Sequence, residues 1–294
     1  MQISANDISI EVEDEGLPNG EPLLLIMGLG MQLTSWPAEM VQALVSRGFR
    51  VIRLDNRDAG LSQGFDHLGV PNLPLATLQH VFHWPVKAPY RLADMALDAL
   101  GVLDALGIQR AHVCGASLGG MVAQHLAASH PQRVKSLNLM MTTSGSRRLP
   151  QATLAARRVM LQRARSPDLQ ALLDHYAHVF QVIGSPDYRP DPAEFRERMH
   201  ANLQRAWRPT GTLRQLVAVA ADGDRTPMLA QIQAPTHVIH GEADPLIPVD
   251  NGRDLARRIA GASGDFIAGM GHDLPLPLVP RFVQGISANA ARVA

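Results

Sequence analysis

Residues 111–120 of this 294-residue chain read AHVCGASLGG, an apolar strand-like run that breaks into small residues and leads into a helical pattern. Small residues on both sides of one serine, as in G-x-S-x-G, are typical of a sharp strand-to-helix turn that exposes the serine above a sheet. Ser117 is therefore the candidate nucleophile. Its hydroxyl needs a neighbouring base, so this interpretation requires a histidine elsewhere. The competing interpretation is a glycine-rich junction that only packs a helix on a sheet.

Two downstream loops contain the candidate acid and base. Asp244 follows the strand-like run THVIH, residues 236–240, and His272 lies in the loop GMGHD, residues 269–273. Serine, aspartate and histidine thus follow one another in an order that differs from those of the chymotrypsin and subtilisin types. Asp244 is favoured as the acid because it directly follows a convincing strand. The competing acids lack that position: Asp222, Asp224 and Asp273.

An upstream loop predicts a further part of the same site. The apolar strand of residues 21–27 ends in Gly28-Leu29-Gly30. During acyl transfer, backbone N–H groups in such a loop and directly after the nucleophile stabilise the negative charge on the carbonyl oxygen. We expect the N–H groups of Leu29 and Leu118 to form this oxyanion hole. The loop does not match a dinucleotide fingerprint, because Leu33 stands where the third glycine would be.

With these motifs, the chain resembles the α/β-hydrolase superfamily, in its serine-nucleophile branch, over nearly its whole length. The turn LDNRDAGLS, residues 54–62, and the predicted helix from Tyr90 to Ile108 add to the resemblance. The sequence is most similar to capped bacterial esterases of the aclacinomycin methylesterase kind. This resemblance implies an α/β-hydrolase fold with a helical cap. Two positions depart from the family: Met27 stands where many members carry histidine, and Asp58 where many carry glycine.

Apolar periodicity predicts strands that alternate with helices, as a mostly parallel sheet with helices on both faces requires. The predicted strands are residues 3–5, 8–13, 23–27, 50–54, 111–114, 134–139, 236–239 and 265–267. Two segments break the alternation. We predict a hydrolase core from residues 1–141 and 227–294, a helical cap at 142–226, and an insertion at 64–89 that forms a second wall of the pocket.

A cap of this kind would exclude water and shape the substrate pocket. Large apolar side chains near the serine and within the predicted cap are the candidate lining residues: Met140, Tyr176, Phe180 and Trp207, with Met141 and Met160 beside them. The competing role for each is packing in the core of the cap.

Composition limits the partners and the compartment. The formal net charge is zero, from 27 basic and 27 acidic residues, so no overall field favours nucleic acid. No apolar run approaches the roughly 20 residues of a membrane span, so we expect no membrane partner. The single cysteine, Cys114, cannot form an internal disulfide, which makes a cytoplasmic location the default expectation.

The sequence also predicts no metal and no cofactor. His80 and His83 lack a third ligand at metal-binding spacing, and neither an H-E-x-x-H nor a paired-cysteine pattern occurs. Acyl transfer by serine and histidine needs neither group.

Together these features predict a serine hydrolase that cleaves a small-molecule carboxylic ester with an apolar or aromatic substrate. Three alternatives stay open at this stage: a cofactor-free haloperoxidase or acyltransferase, a carbon–carbon bond hydrolase, and a catalytically silent binding protein of the same fold. The sequence also leaves open whether the protein forms a homodimer.

Overall fold

The computed structural model describes residues 1–162 and 164–293. Its sheet has eight strands in the order β1-β2-β4-β3-β5-β6-β7-β8. β2 pairs in antiparallel fashion with both β1 and β4, and all other neighbours are parallel. The strands are β1 Gln2–Ala5, β2 Ile8–Glu15, β3 Glu21–Ile26, β4 Phe49–Leu54, β5 Ala111–Ala116, β6 Val134–Met140, β7 Thr236–Gly241 and β8 Ser263–Ile267.

Eleven α-helices connect the strands within the described residues. They are α1 Ala38–Val45, α2 Leu73–Val81, α3 Leu92–Ala105, α4 Leu118–Ser129, α5 Leu154–Leu161, α6 Leu169–Ile183, α7 Pro192–Arg205, α8 Pro209–Asp222, α9 Thr226–Leu229, α10 Asp250–Arg258 and α11 Val279–Ala290. This architecture confirms the predicted α/β-hydrolase fold class, and all eight predicted strands are present.

The central strands are buried on both faces, as parallel strands between helical layers must be. Along β3, Leu24 and Ile26 face a core that includes residues of α3, α4 and α10. Leu23 and Leu25 face the opposite core, which includes residues of α1 and α11. The near-continuous apolar run of β3 therefore follows from its position between two helical layers.

The segment between β6 and β7, residues 141–235, is helical, and we call it the helical insertion. It contains α5 to α9, and no strand occurs in its described residues. Capping residues set where its helices begin: Asp168 accepts a hydrogen bond from the Ala171 N–H, and Asp191 accepts one from the Glu194 N–H. Pro209 opens α8, where its missing N–H costs no hydrogen bond.

The segment 64–89 contains α2, which packs on α8. His80 Nδ1 lies 3.2 Å from the carbonyl oxygen of Ala220 in α8. This segment therefore lies against the helical insertion.

A buried ion pair joins the helical insertion to the core. Arg214 of α8 donates from Nε and Nη2 to the two carboxylate oxygens of Asp58, at 2.8 and 2.7 Å. Tyr90 also donates to Asp58. Asp58 has φ +66°, a conformation that glycine adopts more readily than other residues. Burial alone would raise the pKa of Asp58. Hydrogen bonds from Arg214, from the Phe65 N–H and from Tyr90 hold that pKa below its ordinary value.

We expect Arg214→Met to lower the free energy of unfolding by about 3–5 kcal/mol, because it leaves the Asp58 carboxylate buried without its cation. Urea unfolding at neutral pH measures the loss. The depressed pKa of Asp58 contributes stability above the ordinary carboxyl pKa of 3.8, and acidification removes that contribution. The difference between the variant and the wild type should therefore shrink as the pH falls.

The exposed pair between Arg196 and Asp174 provides the matched control for this prediction. Arg196→Met should change the stability by less than about 1 kcal/mol, since exposed pairs contribute little. Equal losses in the two variants would contradict a special role for the buried pair.

Candidate active site

Ser117 lies in the turn between β5 and α4 and has φ +53°, a conformation that side chains other than glycine rarely adopt. The turn brings α4 very close to the sheet. A Cβ atom on Gly119 would collide with the backbone of Ile26, and one on Gly115 would collide with the backbone of Gly119. Glycine on both sides of the serine is therefore a steric requirement of this packing.

The structure brings the three predicted polar residues into one chain of hydrogen bonds. His272 Nε2 lies 3.0 Å from Ser117 Oγ, and His272 Nδ1 lies 2.7 Å from Asp244 Oδ2. This network assigns the proton of the neutral imidazole to Nδ1, which donates to Asp244, and leaves Nε2 to accept from the serine. Asp244 and His272 are buried, so bulk water competes little for these hydrogen bonds.

The second oxygen of Asp244 is held by the backbone. Its Oδ1 accepts from the N–H groups of Leu246 and Ile247, at 2.9 and 2.8 Å. The buried His240 side chain fixes the same loop, because its Nε2 donates to the carbonyl oxygen of Ile247 at 2.7 Å. Burial lowers the pKa of His240, which favours its neutral form. The orientation of Asp244 is thus set before any substrate binds.

The three competing acids have other partners. Asp222 accepts from Arg225 and lies 2.8 Å from His125 Nε2. Asp224 accepts from the backbone N–H of Thr226. Asp273 Oδ1 accepts from the Ser185 N–H at 3.0 Å and from the Ser185 hydroxyl. Of the four candidates, Asp244 is the one that the structure pairs with His272.

The predicted oxyanion donors lie on both sides of the serine. A Cβ atom on Gly28 would be 3.2 Å from the Ser117 Cβ, so the loop that contains Leu29 adjoins the serine directly. Leu118 is the first residue of α4. Among the described residues, neither the Leu29 N–H nor the Leu118 N–H donates to a protein acceptor. Both groups are therefore free to donate to a substrate oxygen.

The helical insertion holds the loop that contains His272. The backbone N–H of His272 donates to the carbonyl oxygen of Ile183, at 2.7 Å. The N–H of Gly271 donates to the hydroxyl of Ser185, at 2.8 Å, and that hydroxyl in turn donates to Asp273. The helical insertion is thus part of the structure that positions the histidine.

The loop of residues 28–31, which carries the predicted oxyanion donor Leu29, is called the oxyanion loop below. A cavity lies beside it, between this loop and helices α6, α7 and α8. Tyr176 and Trp207 line it, whereas Met140 and Phe180 do not. The side chain of Met140 is fully buried in the sheet core, and the ring of Phe180 packs on Phe195. The cavity is lined by Gly30, Met31, Gln32, Ser35, Tyr176, Met199, Asn202, Leu203, Ala206, Trp207, Arg208, Pro209 and Thr212.

In residues 1–162 and 164–293, no group of three or more His, Cys, Asp or Glu side chains has an arrangement that could hold a metal ion. Within the same residues, no helix has both the length and the apolar character that crossing a membrane requires.

Known proteins give an independent comparison. The profile of the family described as alpha/beta hydrolase fold matches residues 21–276. The chain belongs to this family. It is 29% identical to rhodomycin D methylesterase DauP of Streptomyces sp. (strain C5) over 306 residues, covering 98% of this chain and 96% of that protein.

Two other comparisons extend this result. A putative carbamate hydrolase RutD of Pantoea ananatis is 29% identical over 246 residues, covering 82% of this chain and 78% of that protein. The crystal structure of the enol-lactonase from Burkholderia xenovorans LB400 has a TM-score of 0.74 and 24% identity, covering 99% of this chain and all of that one. The likeness to the enol-lactonase structure shows the fold alone. The sequence similarity to the methylesterase and to the carbamate hydrolase supports a hydrolase reaction.

Several residues that hold this site carry no motif in the sequence. Ser185 holds the loop of His272 from 86 residues away along the chain, and His240 holds the loop of Asp244 that follows it directly. Met27 illustrates the same point, because its carbonyl oxygen accepts from Asn56 Nδ2 at 2.8 Å and so fixes the start of the oxyanion loop. Asn56 lies in the polar turn LDNRDAGLS, residues 54–62, whose resemblance to the family is the one signal that could have singled it out.

We expect Asp273→Asn to raise the melting temperature at pH 7. Burial raises the pKa of Asp273 above its ordinary value, despite the hydrogen bonds from Ser185. A buried acid with a raised pKa destabilises the fold once the pH exceeds its unfolded value of 3.8, so removal of the charge is stabilising at neutral pH. Asparagine keeps an oxygen that can accept from Ser185.

Thermal unfolding at pH 7 and near pH 4 tests this prediction, and the gain should shrink at the lower pH. Asp250→Asn is the control, because the Asp250 side chain is half exposed. A melting temperature of Asp273→Asn below that of the wild type at pH 7 would contradict the expected sign.

Proposed function

We propose that this chain is a serine hydrolase that cleaves a carboxylic ester of a small apolar or aromatic substrate through an acyl-enzyme intermediate. One observation carries the proposal: the hydrogen-bond chain from Ser117 Oγ through His272 to Asp244, with distances of 3.0 and 2.7 Å. This is the arrangement that activates a serine hydroxyl. The 29% identity to a rhodomycin D methylesterase over 98% of the chain supports an ester as the bond that is cleaved.

In the proposed first step, Ser117 Oγ attacks the ester carbonyl carbon while His272 Nε2 takes the hydroxyl proton. Asp244 holds the imidazole through Nδ1 and stabilises the imidazolium that forms. The carbonyl oxygen becomes negatively charged. The N–H groups of Leu29 and Leu118 donate to it, which lowers the barrier because both donors are fixed in advance.

Collapse of the tetrahedral intermediate breaks the bond to the alcohol oxygen, and His272 returns the proton to that leaving group. An ester of the acid and Ser117 remains. Water then loses a proton to His272 and attacks this ester, and the proton returns to Ser117 as the acid leaves. The cycle is balanced, consuming one water and producing one acid and one alcohol.

The cavity has a mixed lining, and its apolar part bears on the proposed substrate class. Met31, Met199, Leu203 and Trp207 contribute apolar surface beside the oxyanion loop. The one charged lining residue, Arg208, directs its Nε to the carbonyl oxygen of Gly60 at 2.7 Å. An apolar acyl or alcohol group that reaches this cavity from Ser117 would gain from burial against these side chains.

Ser117→Ala should abolish ester hydrolysis while the protein stays folded. Loss of a nucleophile of this kind costs roughly 10⁶-fold in turnover. The measurement is hydrolysis of 4-nitrophenyl esters, together with labelling by a fluorophosphonate probe, which modifies only an activated serine. Circular dichroism monitors the fold.

Ser287→Ala is the matched control, because the hydroxyl oxygen of Ser287 on α11 is buried and has no hydrogen-bond partner in the described chain. It should keep both labelling and hydrolysis. A folded Ser117→Ala protein that retains most of its activity would assign the nucleophile to another residue. Lactone, peroxide and carbon–carbon bond substrates, assayed in parallel, test the alternative reactions of the same three residues.

The proposed pocket predicts how activity depends on the acyl chain. Each buried methylene contributes about 0.8 kcal/mol, so kcat/KM should rise by a few-fold per carbon until the pocket is full. Trp207→Ala should move that limit to longer chains, because Trp207 lines the cavity. A series of 4-nitrophenyl esters of increasing length measures the limit.

Trp84→Ala is the comparison variant, since Trp84 lies in the segment 64–89 and outside the lining of this cavity. If Trp84→Ala changed the acyl-chain limit and Trp207→Ala did not, the acyl pocket would lie at the segment 64–89 instead.

A further inference from the structure

The oxyanion loop is a tight turn with a defined conformation. The N–H of Met31 donates to the carbonyl oxygen of Gly28 at 3.2 Å, which closes a four-residue turn with Leu29 and Gly30 at its centre. Gly30 has φ +65°, and Leu29 does not have a positive φ. A positive φ at the third position alone is the signature of a type II turn. Leu29, the proposed oxyanion donor, is thus the second residue of this turn.

The turn has three peptide groups, and the first of them carries the Leu29 N–H. The group between Gly28 and Leu29 is held by the bond from Met31 to the Gly28 carbonyl oxygen. Its N–H belongs to Leu29, and in a trans peptide it points away from that carbonyl. The next group, between Leu29 and Gly30, distinguishes type II from type I, since the two types differ by rotation of this peptide.

Gln215 of α8 holds that second peptide group. Its Oε1 accepts from the Gly30 N–H at 2.8 Å, and its Nε2 donates to the carbonyl oxygen of Arg57 at 2.7 Å. The Gln215 side chain is fully buried, so water cannot replace either bond. One amide therefore links the oxyanion turn to the polypeptide that follows β4.

The packing of α8 against the loop explains why Gln215 reaches this position. Thr212 lies one turn before Gln215 on α8, and a Cβ atom on Gly30 would be 2.5 Å from the Thr212 hydroxyl oxygen. On the same helix, a Cβ on Gly211 would be 2.9 Å from the Asp58 Cβ. Small or polar residues at these positions let the helix axis approach the turn closely enough for an amide to span the gap.

We propose that Gln215 is a positioning residue: by holding the Leu29–Gly30 peptide it keeps the oxyanion turn in its type II conformation. This fixed turn carries the Leu29 N–H that faces the substrate oxygen. The inference rests on the proposed function, because an oxyanion donor matters only if an acyl transfer occurs. Gln215 lies in the helical insertion, 185 residues from Gly30 along the chain. The insertion would thus contribute to the chemical step and not to substrate binding alone.

The test replaces Gln215 with methionine, which has a similar shape and keeps neither hydrogen bond. We expect kcat to fall by about 10- to 100-fold with little change in KM, less than the roughly 10²- to 10³-fold loss from removing a donor itself. The carbonyl stretch of the acyl-enzyme, formed with a slowly deacylating ester and measured by infrared difference spectroscopy, should shift to higher frequency, because a weaker donor polarises the carbonyl less.

Asn289→Leu is the matched control. Asn289 is a buried amide on α11 that donates to the carbonyl oxygens of Leu137 and Pro235, at the other end of the sheet. Its replacement removes buried hydrogen bonds without touching the loop. We expect it to lower the melting temperature, as Gln215→Met does, and to leave kcat and the carbonyl frequency of the folded protein unchanged.

Gln215→Glu separates the two hydrogen bonds, because it keeps an acceptor for Gly30 and replaces the amide donor to Arg57. Its kcat should lie between those of the wild type and Gln215→Met. Equal kcat values in the glutamate and methionine variants would overturn the proposal, as would a Gln215→Met protein whose kcat stays within about twofold of the wild type.

Equal losses in Gln215→Met and Asn289→Leu would likewise overturn the proposal, because they would reflect general destabilisation. Failure of the proposed function is recognised separately. In that case the wild-type protein shows neither fluorophosphonate labelling of Ser117 nor ester hydrolysis. The proposed role of Gln215 is then rejected together with the proposed function.

Discussion

The close approach of α4 to the sheet is the constraint on which the rest of the site depends. Ser117 has a positive φ because the chain must turn from β5 into a helix that nearly touches the backbone of β3. This conformation costs of order 1–3 kcal/mol, which the surrounding packing must offset. Two hydrogen bonds to the backbone of Ser117 help to offset this cost. The Ser117 N–H donates to the Met140 carbonyl oxygen, and the Ser117 carbonyl oxygen accepts from the Thr142 hydroxyl. The serine is therefore held in place by the sheet.

The helical insertion adds a second level of constraint, since it contacts both loops that accompany the serine. Gln215 bonds to the oxyanion turn, and Ser185 bonds to the loop of His272. The buried pair of Arg214 and Asp58 fixes α8 itself against the core. Further bonds tie the insertion to the core, including that of Arg205 to Asp55 and that of Arg208 to the carbonyl oxygen of Gly60. An insertion held at so many places is poorly suited to open as a rigid lid.

The sequence was sufficient for those parts of the structure that depend on local patterns. Short sequence motifs predicted the elbow around Ser117, the strands, and the loops that contain Asp244 and His272. Predicted strand ends were less accurate: β8 begins at Ser263, and the prediction began it at residue 265. Apolar periodicity weakens at exposed strand ends, where Ser263 and Gly264 face solvent.

The contacts that hold the site could not be predicted in the same way. Gln215 is an ordinary polar residue in a helical pattern, and its partner Gly30 is distant in sequence. The pocket shows the same difficulty, because large apolar side chains at helical spacing serve either a core or a cavity. Phe180 packs on Phe195, whereas Tyr176, one turn earlier on α6, lines the cavity. Only the packing of one helix on another decides between these two roles.

The two carboxylates nearest the histidine show how surroundings divide the roles of chemically identical groups. Asp273 is adjacent to His272 in sequence, yet its Oδ1 is engaged by Ser185, and burial raises its pKa. Asp244 is 28 residues away, and two backbone N–H groups hold its Oδ1 while Oδ2 faces Nδ1 of the imidazole. Two backbone N–H bonds fix the direction of the Asp244 carboxylate, and a group that orients a histidine needs a fixed direction. The choice between the two acids therefore follows from where each carboxylate is held: Asp273 is bound to Ser185, whereas Asp244 has an oxygen that accepts from the imidazole. Sequence proximity to the histidine does not decide it.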